Sequence, residues 1–180
     1  MAAFDELKIK IGKALIKSFL EDENYKSVVS ILKRGFPLTE GIIQRCINTY
    51  DLEIYKFLYP EHLQLDPYMM LLACKAGNID LAKWMRFMGC PWDKEVCNCA
   101  AENGHFDILK WARSNSPEPC PWDEKTCVGA AKSGRLDILK WARENELEPC
   151  PWDINTCREA ALNGRLDILE WALDNGCSVD

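Results

Sequence analysis

The sequence has only two histidines, His62 and His105, and no Cys-x-x-Cys pair among its ten cysteines. A structural zinc site needs four converging ligands, usually with two of them two to four residues apart. Cys90 and Cys97 are seven apart, as are their later copies, and Cys97 and Cys99 point to different sides of a helix. No metal site is expected. Also missing are a glycine-rich phosphate loop and a nucleophile motif, so no catalytic residues, no cofactor and no enzyme activity are expected. No apolar run approaches the ~18 residues of a membrane-spanning helix. Met1 to Lys13 places Asp5, Glu6, Lys8 and Lys10 where a signal peptide needs an apolar core. The chain is therefore expected inside the cell, in cytoplasm or nucleus, where thiols stay reduced.

A basic excess is lacking as well. Lys and Arg number 22 against 28 Asp and Glu, a net charge of −6, which argues against a nucleic-acid partner. The local cluster Lys132, Arg135, Lys140 and Arg143 is followed by Glu144, Glu146 and Glu148, and reads as a solvated face.

What is present is an internal repeat. Cys90-Pro91-Trp92-Asp93 recurs at 120–123 and at 150–153, a step of 30 residues both times. Each copy runs on through a cysteine (97, 127, 157), an Ala-Ala pair (100–101, 130–131, 160–161) and a glycine (Gly104, Gly134, Gly164). It closes with Asp-Ile-Leu, one charged residue and Trp-Ala, which places Trp111, Trp141 and Trp171. Weaker copies lie upstream at a step of 27, with Leu65-Asp66, Ala73-Cys74 and Gly77 in the corresponding places. One step earlier, residues 35–39 align with 89–93, and Leu52 to Leu58 with the last helix. Periodicity on this scale marks a solenoid or array.

Each unit reads as two helices. Asp66, Asp93, Asp123 and Asp153, with Thr39 in the same place earlier, stand where an N-cap accepts from free amides of the first turn. Pro67 follows at the favoured first helical position. The glycine suits a left-handed C-cap. Leu136, Leu139 and Ala142, widened by Ile138 and Trp141, give the second helix a broad apolar stripe. The expected architecture is all-α, about six helix-turn-helix units. Residues 1–35 form a divergent N-terminal helical cap, and 36–180 the array, in units of about 36–61, 62–89, 90–119, 120–149 and 150–180.

Ala160-Ala161, Gly164 and Asn175-Gly176, together with the Gly104-His105 pair, resemble the ankyrin repeat family. The Cys-Pro-Trp-Asp variety is similar to ankyrin proteins of large DNA viruses of amoebae and of some protists. The resemblance covers 36–180 well. It implies a helical solenoid whose first helices line a concave face, a protein partner, and residence in a host cell. One departure is plain: Lys125-Thr126-Cys127-Val128 stands where the family has Thr-Pro-Leu-His. The projecting β-hairpin is accordingly expected to be short or reduced.

Copies within one chain allow a comparison. Residues fixed between units are expected to build the stack: Trp92, Trp122 and Trp152, Asp93, Asp123 and Asp153, the three glycines, and Trp111, Trp141 and Trp171. A continuous row of Trp92, Trp122 and Trp152 is one form this could take. Residues that change on the first helix are candidates for binding a partner on a concave face. They are Lys94, Glu95, Asn98, Glu102, Glu124, Lys125, Val128, Lys132, Ile154, Asn155, Arg158 and Leu162. Cys177 to Asp180 falls 27 residues after the last Cys-Pro-Trp-Asp, and the last unit has six acidic against two basic residues over 150–180. It therefore reads as an acidic cap, as part of an array shortened from a longer one, or as a surface for self-association.

The function expected is a non-enzymatic protein–protein interaction scaffold, engaging host or virion proteins if the viral resemblance holds. The alternatives are a structural or virion-assembly component and a substrate adaptor for a ubiquitin ligase. The first 35 residues are too few for the F-box that such adaptors carry.

Overall fold

Twelve α-helices and no β-strand make up the described residues, which are 2–22, 24–34, 40–59, 61–115, 118–146 and 148–177 of this computed structural model. At 2–9, 11, 13, 40, 41 and 44 only the backbone is described. Thr39, expected as an N-cap, lies outside these residues. The chain divides into two compact units, 1–64 and 65–180.

The first compact unit holds α1 (Ala2–Glu21), α2 (Tyr25–Lys33), α3 (Glu40–Ile47) and α4 (Leu52–Leu58). α1 packs on α2 and α3, and α4 packs on α2 and α3. Asp51 caps α4 by accepting from the Ile54 amide at 3.0 Å. Tyr55 is fully buried, and its hydroxyl donates to the Ile47 carbonyl at 2.9 Å, which satisfies the one polar atom of a large core side chain.

The second compact unit is a sequential array of four helix pairs. They are α5 (Pro67–Lys75) with α6 (Ile79–Phe87), α7 (Lys94–Glu102) with α8 (Phe106–Ser114), α9 (Glu124–Ser133) with α10 (Leu136–Arg143), and α11 (Ile154–Leu162) with α12 (Leu166–Asp174). Every first helix starts on an aspartate: Asp66, Asp93, Asp123 and Asp153 accept from main-chain amides at 2.8, 2.9, 3.1 and 3.0 Å. The connectors before α7, α9 and α11 contain no strand among the described residues, so these units carry no β-hairpin there.

First helices stack directly on one another, α5 on α7, α7 on α9 and α9 on α11. Small residues permit it: Ala100, Ala101, Ala130, Ala131 and Ala160 are fully buried. At Gly129 an added Cβ would stand 2.9 Å from the Glu102 backbone nitrogen and 3.1 Å from the Asn98 carbonyl oxygen. The second helices supply the bulk, with Ile108, Leu109, Ile138, Leu139 and Ile168 fully buried. Burying such a side chain contributes about 1.5–3 kcal/mol.

The repeated glycine has two jobs. Gly104 and Gly134 hold φ near +74°, the left-handed region that glycine enters without penalty. They also leave room for a side chain of the next unit. Arg135 donates to the Gly104 carbonyl at 2.5 Å, and a Cβ on Gly134 would lie 2.7 Å from the Arg165 guanidinium.

Candidate interaction surface

The residues repeated in every copy are used up in the joints between units. The Cys90, Cys120, Cys150 and Cys177 thiols each donate to the carbonyl of the capping aspartate one unit back, at 3.1–3.3 Å. Cys97 and Cys127 point forward, to the Cys120 and Cys150 carbonyls. Burial pushes the Cys90 thiol up to about 11, and lifts Cys74 further in the same direction, so these groups stay neutral packing elements. Among the described residues no group of three or more side chains is placed to hold a metal ion.

The tryptophans do not form a row through the array. The ring contacts join Trp92 to Trp111, Trp122 to Trp141 and Trp152 to Trp171, each within one unit, edge to face at 5.4, 5.9 and 5.8 Å. What bridges the units is arginine. Arg86, Arg113 and Arg143, near the ends of α6, α8 and α10, lie over Trp92, Trp122 and Trp152 of the next unit at 4.3, 3.9 and 4.2 Å. Each also donates to the following Cys carbonyl, at 3.4, 2.7 and 2.6 Å. Comparison of the copies passed over these arginines. Their signal was present, since arginine follows the repeated tryptophan by two residues at 86, 113 and 143.

The variable first-helix residues fare differently from one another. Asn98 is not at the surface. It is buried, its side-chain oxygen accepts from the Thr126 hydroxyl at 2.7 Å, and its amide lies toward Asp123 off the line of a full hydrogen bond. Five others pair across units. Glu95 meets Lys125 at 3.8 Å and Glu102 meets Lys132 at 2.6 Å, and Lys94 reaches Asp123 at 2.7 Å. Partial burial works against the Asp123 carboxylate, but hydrogen bonds from Lys94 and the Lys125 amide hold its pKa below the ordinary value. Glu124, Ile154, Asn155, Arg158 and Leu162 are exposed, and Val128 is half-buried. Variable positions on this face are thus partly held by pairs between units.

A groove of about 560 Å³ runs across the first helices of this compact unit. Exposed Tyr68 and half-buried Leu71 and Leu72 of α5 line one part of it; Cys99, Glu102, Lys132 and Asn163 line others. Lys75 reaches it from the end of α5 and has no ion pair among the described residues. Apolar contact area beside a cation without a partner can seat an extended chain or a helix turn that carries an apolar side chain and a carboxylate. Of its lining, comparison of the copies named Glu95, Asn98, Glu102 and Lys132 but missed the α5 residues, because α5 belongs to the weaker copy at a step of 27.

Fold and surface together define an all-α helical array with a grooved first-helix face. Compared with protein-family models and with curated protein sequences, the chain matches none. No helix among the described residues is long and apolar enough to cross a membrane.

Proposed function

We propose that this chain is a non-enzymatic protein–protein interaction scaffold of the ankyrin type, and that it takes its partner on the first-helix face. The ankyrin reading is supported by sequentially packed helix pairs at a step of 27 to 30 residues, the Ala-Ala pair between stacked first helices, and the left-handed glycine after them. By the resemblance of its Cys-Pro-Trp-Asp repeats, the partner is a host or virion protein.

One observation carries the binding reading. Nearly every repeated residue is committed to a joint, whereas the side chains of Tyr68, Leu71, Leu72 and Lys75 line a groove and enter none of the ion pairs between units among the described residues. The test is affinity purification from the native cell with Tyr68→Ala/Lys75→Glu beside the wild type. Both positions are exposed, so circular dichroism should be unchanged. The expected result is loss of specific partners from the variant. An unchanged set of partners would move the binding site off this groove.

A further inference from the structure

The outer face of the α11–α12 pair differs from the same face of every unit before it. The internal joints identify which positions that face comprises. In the unit of α7 and α8, Lys94 pairs with Asp123, Asn98 bonds to Thr126, Glu102 pairs with Lys132, Phe106 meets Trp141 at 5.5 Å, and Arg113 covers Trp122. In the next unit Lys140 lies 5.8 Å from the Trp171 ring. The equivalents in the last pair are Ile154, Arg158, Leu162, Leu166, Leu173 and Glu170.

Four of these six positions are aliphatic, and no described residue covers them. Ile154 is 43% exposed, Leu162 70%, Leu166 65% and Leu173 43%. The acidic count of this segment suggested a polar cap; the side chains that face outward do not form one. Clustered large aliphatics on an outer face mark an interaction site.

The order of residues along the two helices says what fits. Ile154, Arg158 and Leu162 stand at i, i+4 and i+8 of α11, and Leu166, Glu170 and Leu173 at i, i+4 and i+7 of α12. Such spacings place each trio along one side of its helix. Both stripes therefore read aliphatic, charge, aliphatic, and their central charges are opposite. Arg158 and Glu170 are exposed and have no ion-pair partner among the described residues. A two-fold axis makes residue i of one copy meet residue j of the other and the reverse.

We propose that this face binds a second copy of the chain about a two-fold axis. α11 of each copy lies against α12 of the other, the aliphatic residues pack, and Arg158 pairs with Glu170 of the second copy twice. Another tryptophan-bearing repeat suits the face less well, because the lysine and arginine that meet the tryptophans of the next unit are replaced by Glu170 and Leu173. A basic amphipathic helix would set its own cations against Arg158. This surface is separate from the α5 groove, and the two readings stand or fall independently.

The test is sedimentation equilibrium of the 180-residue chain over a range of concentrations, with far-ultraviolet circular dichroism to check folding. A small interface of this kind predicts a dimer with Kd in the roughly micromolar range. Arg158→Glu and Glu170→Arg alone should each weaken it at least ~10-fold, by placing like charges together. The double variant should return to within ~3-fold of wild type, because the swapped charges pair again. Leu162→Ser/Leu166→Ser should leave a folded monomer. A wild-type chain that stays monomeric to ~1 mM, whatever else it binds, overturns the proposal. So does a dimer indifferent to the single swaps, or a double variant no better than the singles.

Discussion

The guanidinium of Arg113 lies 3.9 Å from the Trp122 ring centre and donates a 2.7 Å hydrogen bond to the Cys120 carbonyl. One buried side chain thus joins the end of α8 to the segment that leads into α9. Arg86 makes the same contacts to Trp92 and Cys90 at 4.3 and 3.4 Å, from a more exposed position. Arg113→Ala should cost about 2–4 kcal/mol, from a desolvated cation–π contact and a charge-assisted hydrogen bond. Arg86→Ala should cost less. Urea unfolding of the two variants gives the comparison; equal losses would mean that burial of the joint does not set its strength.

Thr126 and Thr156 occupy the same position in successive units and are both fully buried, but their surroundings differ. The Thr126 hydroxyl has Asn98 as acceptor, whereas the equivalent of Asn98 one unit on is Val128, and the Thr156 hydroxyl has no partner. Thr126→Val should cost about 1–2 kcal/mol, since it leaves the buried Asn98 side-chain oxygen without its donor. Thr156→Val removes an unsatisfied group at almost constant shape and should be neutral or stabilising. Opposite shifts of the unfolding midpoint are expected, and a shared sign would refute the assignment.

Gly129 is in the middle of α9, where alanine would ordinarily be the better residue by about 1 kcal/mol. Here the new Cβ would press on the Glu102 backbone, which has no flexible end to move aside. Gly129→Ala should therefore lower the thermal midpoint. A raised midpoint would mean that α7 and α9 are further apart than described.

Asp123 both caps α9 and pairs with Lys94. A carboxyl whose folded pKa is held below its unfolded value, near 3.9, contributes stability above that value. The contribution is lost as pH falls through the folded pKa. Asp123→Asn keeps a capping oxygen but removes the charge. The wild type should be the more stable at pH 7, and the difference should shrink as pH falls below about 4. A gap that is constant from pH 7 to pH 3 would place the effect in the cap alone.

Much of the array was legible because its period is strict. Asp66, Asp93, Asp123 and Asp153 cap helices as their spacing predicts, and the Ala-Ala pairs at 100–101 and 130–131 are buried between stacked helices, while Ala161 of the last pair is exposed. The surface was harder to read. Treating variable positions as free misplaced Asn98, which is buried against Thr126, and Glu102, which pairs with Lys132 of the next unit. A residue that varies between copies can still be held by a contact to the neighbouring unit. Net charge hid the aliphatic face of the last pair, since a count of acids says nothing of which side they occupy. Trp92, Trp122 and Trp152 were legible as architecture but not in their partners, because edge contacts within a unit and arginine contacts between units leave the same repeat in the sequence.

The claim that the first-helix groove holds the partner is tested most directly by hydrogen–deuterium exchange on the chain alone and in its purified complex. The account predicts slowed exchange in peptides covering residues 67–75 and 94–102 and little change over 106–114 and 136–143. Protection confined to the second helices, or none at either set, would contradict it.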